Sequence, residues 1–283
     1  MPGPTIDQAF ITKFNRDVHL AYQVTEAKFR HLVRQDADVT GDRVRFQKLG
    51  TMTVGSKARN GDISIQNPEH TWVEVILLDR YGAVLIDQLD LTKLNIAVRE
   101  GYIYNMSAAF ARETDTQILA AMTAGATENV NSGFSGNLTR NLVLEARAIL
   151  DNNDVQNNAV AAAVTPQMWA HLMTIPEFAN EQYVGYDGQP WKMQGPPMKF
   201  WNRANWFVST LLPGNGTASA RGYMWDRRSV GHAIGQEVSI TWDWENLKKA
   251  WSGAGSMSMN AVVIDAAGLV ELRADDTAAL PTP

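Results

Sequence analysis

The octapeptide Gly50-Thr51-Met52-Thr53-Val54-Gly55-Ser56-Lys57 places four residues between two glycines, as a phosphate-cradling loop does. In such a loop a lysine follows the second glycine directly, and a helix N-terminus turns its free N–H groups toward the phosphates. Here Ser56 and Lys57 are interchanged and no helical pattern follows, so the glycines punctuate a hairpin instead. Asp243 and Glu245 alternate with Trp242 and Trp244. Carboxylate pairs beside tryptophans suit sugar cleavage, but a period of two sends the rings to the face opposite the acids, which is the pattern of a half-buried strand. Asp87 and Asp90 could share a divalent ion, although a turn followed by an N-cap at Asp90 accounts for both. His19, His31, His70, His171 and His232 contain no pair at helical ligand spacing. Asn137-Leu138-Thr139 matches a glycosylation acceptor without a secretory context, and there is no Gly-x-Ser-x-Gly elbow for a serine nucleophile. The expectation is a protein that is not an enzyme, with no catalytic or metal-ligating residues and no cofactor.

Composition narrows the classes further. The chain has 283 residues, 45% of them hydrophobic and 19% charged, which is ordinary for a folded protein able to bury its own core. It has no cysteine, so disulfides, thiolate metal centres and thiol nucleophiles are excluded. There is no run of apolar residues long enough to span a bilayer. The opening MPGPTIDQAF lacks a basic segment followed by an apolar one, so a soluble intracellular product with no membrane partner is expected. The net charge of −5 is unevenly placed. Residues 1–60 carry 10 Lys/Arg against 6 Asp/Glu, and residues 61–283 carry 15 against 24. A basic N-terminal part on an acidic body suits either a nucleic-acid arm or a self-complementary assembly.

The elements that must position these residues follow an α+β order without βαβ alternation. Residues 1–35 form an arm that turns helical from Asp7. Residues 36–75 alternate loosely (Val39, Val44, Phe46, Leu49, Met52, Val54) between glycines, as a long β-hairpin that needs a partner surface. Trp72–Leu78 is expected to be the strand entering the body. Leu91, Leu94, Val98, Tyr102, Met106, Phe110, Ile118 and Met122 predict one long helix from Asp90 to about Met122, stopped at Gly125 and roughly 45–50 Å long. A helix over Leu138–Leu150 is expected to present Leu142, Ala146 and Ile149. A buried strand at Val160–Val164 follows, then a helix with Pro166 in its first turn, running to about Met173. After a loop over 181–199 come strands at Lys199–Leu212 and Gly222–Trp225 divided by the Asn215-Gly216 turn, a strand through Val238–Glu245, and two final strands around Ala266–Gly268.

This ordered layout resembles the Hong Kong 97-type major capsid protein of tailed bacteriophages, over nearly the whole chain. The resemblance lies in Ile76–Asp90 (ILLDRYGAVLIDQLD) leading into the long helix, and in Leu144–Val164 followed by Thr165-Pro166-Gln167-Met168-Trp169. It continues in Ile175-Pro176-Glu177-Phe178 and Tyr183-Val184-Gly185, in Tyr223–Ile240 (YMWDRRSVGHAIGQEVSI), and in the closing strands of Ser256–Leu272. It implies a Hong Kong 97-like α+β fold: an N-terminal arm (1–35), an E-loop hairpin (36–75), a peripheral domain with a spine helix (76–136), an axial domain (137–255), and return strands with the C-terminal tail (256–283).

It further implies a shell subunit that self-assembles as pentamers and hexamers into an icosahedral capsid enclosing double-stranded DNA, assembled in the host cytoplasm. Arg43, Arg45, Phe46, Lys48, Lys57 and Arg59 would then be E-loop contacts to a neighbouring, net-acidic subunit, with Val44, Phe46 and Val54 covered by that neighbour. The implied partners are a separate scaffolding protein, a portal and a possible decoration protein, with no isopeptide cross-link between subunits. Two alternatives share some of these features: an encapsulin-type nanocompartment shell, and a carbohydrate-active or carbohydrate-binding protein using Trp242, Trp244, Asp243 and Glu245.

Overall fold

A computed structural model of the chain describes residues 26–37, 39, 41–89, 98–155, 160–180 and 198–280. The expected helix of the arm, the N-cap at Asp90 and most of the loop over 181–199 lie outside the described residues. In chain order the strands are β1 (Arg34–Asp36), β2 (Arg43–Leu49), β3 (His70–Ile76), β4 (Leu78–Asp87), β5 (Glu128–Val130), β6 (Val160–Val164), β7 (Met198–Trp201), β8 (Ala204–Val208), β9 (Ala220–Asp226), β10 (Val230–Glu245), β11 (Ala250–Val263) and β12 (Leu269–Ala274). The helices are α1 (Val98–Gly125), α2 (Arg140–Asn152), α3 (Pro166–Met173) and α4 (Pro176–Ala179).

Three sheets arise: β1-β10-β11-β4, β5-β12-β9-β6-β8-β7, and the two-stranded hairpin β2-β3. The 28-residue α1 is the spine, spanning roughly 42 Å. Its N-terminal half packs Met106 and Phe110 against Ile234, Met257 and Met259 of the four-stranded sheet. Gly255 and Gly82 make this possible, because a Cβ at Gly255 would lie 2.4 Å from the Phe110 ring. Its C-terminal half packs Ile118, Leu119 and Met122 against Tyr223, Trp225 and Phe207 of the six-stranded sheet. The opposite face of that sheet carries α2, α3 and α4 through Val143, Ala146, Leu150, Met168, Leu172 and Phe178. With both faces covered, β6 (VAAAV) is buried at every position, as a central strand must be.

Several local expectations hold because their signals are local. α3 begins at Pro166 after Thr165, whose hydroxyl accepts the Met168 N–H at 3.1 Å. α1 runs through to Gly125. Other expectations need correction. Lys199–Leu212 is not one strand but β7 and β8, joined by Asn202 and Arg203 in left-handed conformations (φ 49° and 59°), a primed turn without its usual glycine. The strand entering the body is β4, because Trp72–Ile76 belongs to β3 and pairs back onto β2. The buried face of α2 is Val143, Ala146 and Leu150, with Leu142 and Ile149 packed only partly against it. β10 pairs with β11 in the sheet packed on the N-terminal half of α1, while β12 pairs with β9 and β5.

A strap from Lys28 to Asp36 joins the two larger sheets. Asp115 of α1 is fully buried, and its carboxylate accepts the N–H groups of Lys28 and Phe29 at 2.9 and 3.1 Å. Phe29, also fully buried, stacks on Trp225 with ring centroids 5.7 Å apart and meets Phe207 edge-on at 5.2 Å. The Trp225 indole N–H donates to Leu32 O at 2.9 Å. From there β1 pairs in parallel with β10, setting Gln35 opposite His232.

His232 is fully buried, and burial, followed by the nearby Arg30 charge, pushes its imidazole down to about 4. A histidine held neutral in the folded state stabilises above its unfolded value near 6.5, and that contribution is lost as the pH falls through 6.5 toward 4. Burial pushes the Asp115 carboxyl up to about 6, which has the opposite slope over roughly pH 4–6. Urea unfolding of the His232→Gln variant between pH 7 and 4 is expected to lose stability less steeply on acidification than the parent chain. An equal slope would remove His232 from the acid response.

Candidate inter-subunit surface

The hairpin is longer than its assigned strands. β2 and β3 pair Arg43 with Ile76 through Leu49 with His70. The same register continues outward. Gly50 N–H donates to Glu69 O at 2.8 Å, and the Thr53 hydroxyl donates to the Gln66 side chain. A Cβ at Gly55 would lie 2.9 Å from Ser64 Oγ. The ribbon closes where Gly61 N–H donates to Ala58 O at 2.9 Å, around Arg59 and a left-handed Asn60 (φ 65°). The octapeptide that resembles a phosphate loop is therefore the outer part of the first limb, and glycine punctuation is its structural role.

The β2–β3 register, carried outward by the Gly50–Glu69 and Thr53–Gln66 bonds, sets the faces of the ribbon. Val44, Phe46, Val73 and Val75 point to one face, and Met52, Val54, Ile63 and Ile65 lie on that same face farther out. At the base this face is covered by the chain's own body: Val44, Phe46 and Val75 cluster with Ala233 and Ile264, leaving Phe46 2% exposed. Phe46 and Val44 thus lie directly over β10 of their own chain. Toward the tip the cover stops, and Met52, Ile63, Ile65 and Val54 are 65%, 74%, 88% and 98% exposed.

The basic residues divide in the same way. Arg43 and Arg45 both bond Glu74 across the hairpin at 2.8 Å, and the Arg45 guanidinium also lies 5.5 Å over the Trp72 ring. The hydrogen bonds from Arg45 and Arg43 hold the Glu74 carboxyl below its ordinary range. Lys48 pairs with Asp265 of its own chain at 2.8 Å. Lys57 and Arg59, at the tip, are exposed and have no ion-pair partner among the described residues. Phe46 and Lys48 thus tie the hairpin to its own body, Arg43 and Arg45 pair across the hairpin while staying largely exposed, and Lys57 and Arg59 stand at the tip. The Ile63-Ser64-Ile65 alternation was visible in the sequence, but its face became known only through the register.

The other candidate chemistry disperses. Trp242 lies over Gly253, where a Cβ would meet its ring at 2.6 Å, and Trp244 packs edge-on against Trp251 at 5.3 Å. Asp243 and Glu245 point to the other face, and Glu245 pairs with Lys248 at 2.9 Å. Asp87 caps its own turn by accepting Leu89 N–H at 2.7 Å, while Asp90 lies outside the described residues. The acceptor-like Asn137-Leu138-Thr139 is used structurally: Asn137 donates to Ala279 O, Leu138 is buried, and Thr139 caps α2. His171 and His232 are buried in separate parts of the molecule, and no group of three or more His, Asp or Glu suited to a metal occurs among the described residues. No helix among them is long and apolar enough to cross a membrane.

With this geometry, the sequence matches the Phage capsid protein family over residues 6–276. The chain belongs to that family. No curated protein matches it. Its fold is shared with the capsid protein of cyanophage P-SCSP1u (15% identity, 96% of this chain and 95% of that one, TM-score 0.74). It is shared as well with Mycobacterium phage Che8 (17%, 95% and 98%, 0.75) and with the head of Helicobacter pylori bacteriophage KHP40 (11%, 97% and 98%, 0.69). The fold is thus the Hong Kong 97-type capsid fold, and the family is one of structural phage capsid proteins rather than enzymes. The chain acts as many copies of itself, in the virion capsid. The encapsulin alternative is not favoured.

Proposed function

We propose that the chain assembles as pentamers and hexamers around double-stranded DNA, with the hairpin tip lapping the adjacent copies. The observation that carries this is the hairpin's apolar face, which is covered by the chain's own body at its base and left uncovered at its tip. The occupant is a second copy of this chain: a capsid protein packs beside itself, and the uncovered stripe continues a face already seated on this same kind of body. Lys57 and Arg59 at the tip complement a body whose residues 61–283 are net acidic, which favours register and encounter more than affinity. An acidic body confines packaged DNA more than it binds it. Assembly in the host cytoplasm, guided by a separate scaffolding protein and completed by a portal and a decoration protein, fits this reading.

Negative-stain electron microscopy of the chain expressed alone, and with a scaffolding gene product, tests it. Closed shells tens of nanometres across, or five- and six-membered rings, are expected, and particles from lysates should hold nuclease-resistant double-stranded DNA. A monodisperse monomer under every condition would overturn the reading.

A further inference from the structure

The first limb of the hairpin, and the residue that follows its second limb, each meet β10 at a glycine. A Cβ at Gly231 would lie 2.8 Å from two ring carbons of Phe46, on the first limb. A Cβ at Gly235 would lie 2.5 Å from Leu77 Cδ1, immediately after the second limb. Contacts that short do not occur in folded proteins, so a side chain at Gly231 must displace the buried Phe46 ring, and one at Gly235 must turn the Leu77 side chain out of its notch. The Gly235 notch sits where the register between β10 and β11 slips, between Ile234 and Gln236. Three further ties surround the two notches. Lys48 reaches Asp265 at 2.8 Å, Asn260 Nδ2 donates to Ile76 O at 2.7 Å, and Leu77 N–H donates to Asp42 O at 2.9 Å.

A ribbon seated at one point can swing; this one is held at Phe46 on its first limb and, at the end of its second, through Ile76 O and Leu77, which fixes its inclination. From Phe46 to Val54 the limb extends on the order of 26 Å, so a tilt of about 10° carries the tip roughly 4–5 Å, close to one inter-strand spacing. We propose that Gly231 and Gly235 are positioning residues for assembly: their missing side chains receive Phe46 and Leu77, set the angle at which the hairpin leaves its own subunit, and so aim the Met52–Val54–Ile63–Ile65 stripe at the next copy. This rests on the proposed lapping of the tip over a neighbour.

The chain has no cysteine, so Ser56→Cys at the tip and Glu145→Cys on the exposed side of α2 can be spin-labelled without background. Pulsed electron double resonance on the unassembled full chain reads the tip-to-body distance, and electron microscopy reads the assemblies. Gly231→Ala and Gly235→Ala are each expected to keep a cooperative unfolding transition, to shift the mean distance by several Å, and to yield at least tenfold fewer closed shells. Adding Phe46→Leu to Gly231→Ala removes the colliding ring and is expected to restore both distance and closure, which a general loss of stability would not do. If the alanine variants fail to fold, Phe46→Leu alone, which shrinks the knob in an open notch, is expected to broaden the distance distribution. Unmoved distances with normal shells in the glycine variants, or an unchanged distribution in Phe46→Leu, overturn the inference. A Val54→Asp chain that assembles normally overturns the lapping reading instead; a Val54→Asp block alongside normal, unmoved glycine variants overturns this inference alone.

Discussion

A chain carrying Val54→Asp and Ile65→Asp is expected to unfold at the parent's midpoint and to form no closed shells. Both side chains stand almost fully in water, 98% and 88% exposed, so the isolated subunit loses little by exchanging them. Substitutions at such surface positions fall within about 0.5 kcal/mol. Under the proposed lapping of the tip, the two residues face each other across the ribbon beneath a neighbour. Covering one such side chain is worth about 1.5–3 kcal/mol, and placing a carboxylate there adds a desolvation cost. The summed loss of several kcal/mol at every subunit contact lowers each association constant by roughly a hundredfold or more. Thermal melting and negative-stain microscopy on the same sample separate the two effects. Normal shells would show that the tip stripe is not buried by assembly.

Phe29→Ala is expected to act in the opposite way, by weakening the subunit rather than the contact between subunits. Phe29 has no exposed surface, and it is held by Trp225 and Phe207 while Asp115 receives its N–H group. Emptying a buried phenylalanine site costs about 3–5 kcal/mol. In a chain of this size the melting midpoint falls by roughly 2–4 °C for each kcal/mol. Because the strap joins the spine helix to both sheets, the loss should also raise hydrogen exchange at residues 28–36 and at the edge of β10 facing β1. Shells assembled well below the new midpoint are expected to close, since the hairpin tip is untouched. A shift under 1 °C would mean that Phe29 does not fill the space between the sheets.

The contrast between the exposed tip and the buried Phe29 also marks how far the sequence could be read. Thr165-Pro166 announces the start of α3, because the cap and the proline act within four residues of each other. The run VAAAV announces a strand covered on both faces. The ordered elements together resembled one capsid architecture, which the match over residues 6–276 bears out. The Asn202-Arg203 turn was illegible because neither residue needs the left-handed region, and only the pairing of β7 with β8 puts them there. The sheet to which β10 and β12 belong was equally illegible, since a strand's alternation says that it has a partner without saying which one.

The candidate surface divides along the same line. Local chemistry in the chain determined that there would be a long glycine-punctuated hairpin with alternating apolar positions, and that its first limb would be rich in cations. The tertiary structure decided which of those positions face outward. Phe46 and Val54 look alike in sequence, both apolar and both on the same face of one ribbon, yet one is 2% exposed and the other 98%. The difference lies in β10, nearly two hundred residues away, whose Gly231 leaves room for the Phe46 ring and whose surface ends before Val54. Burial is set by whatever the fold brings beneath a side chain, and that distance along the chain is one no local pattern spans.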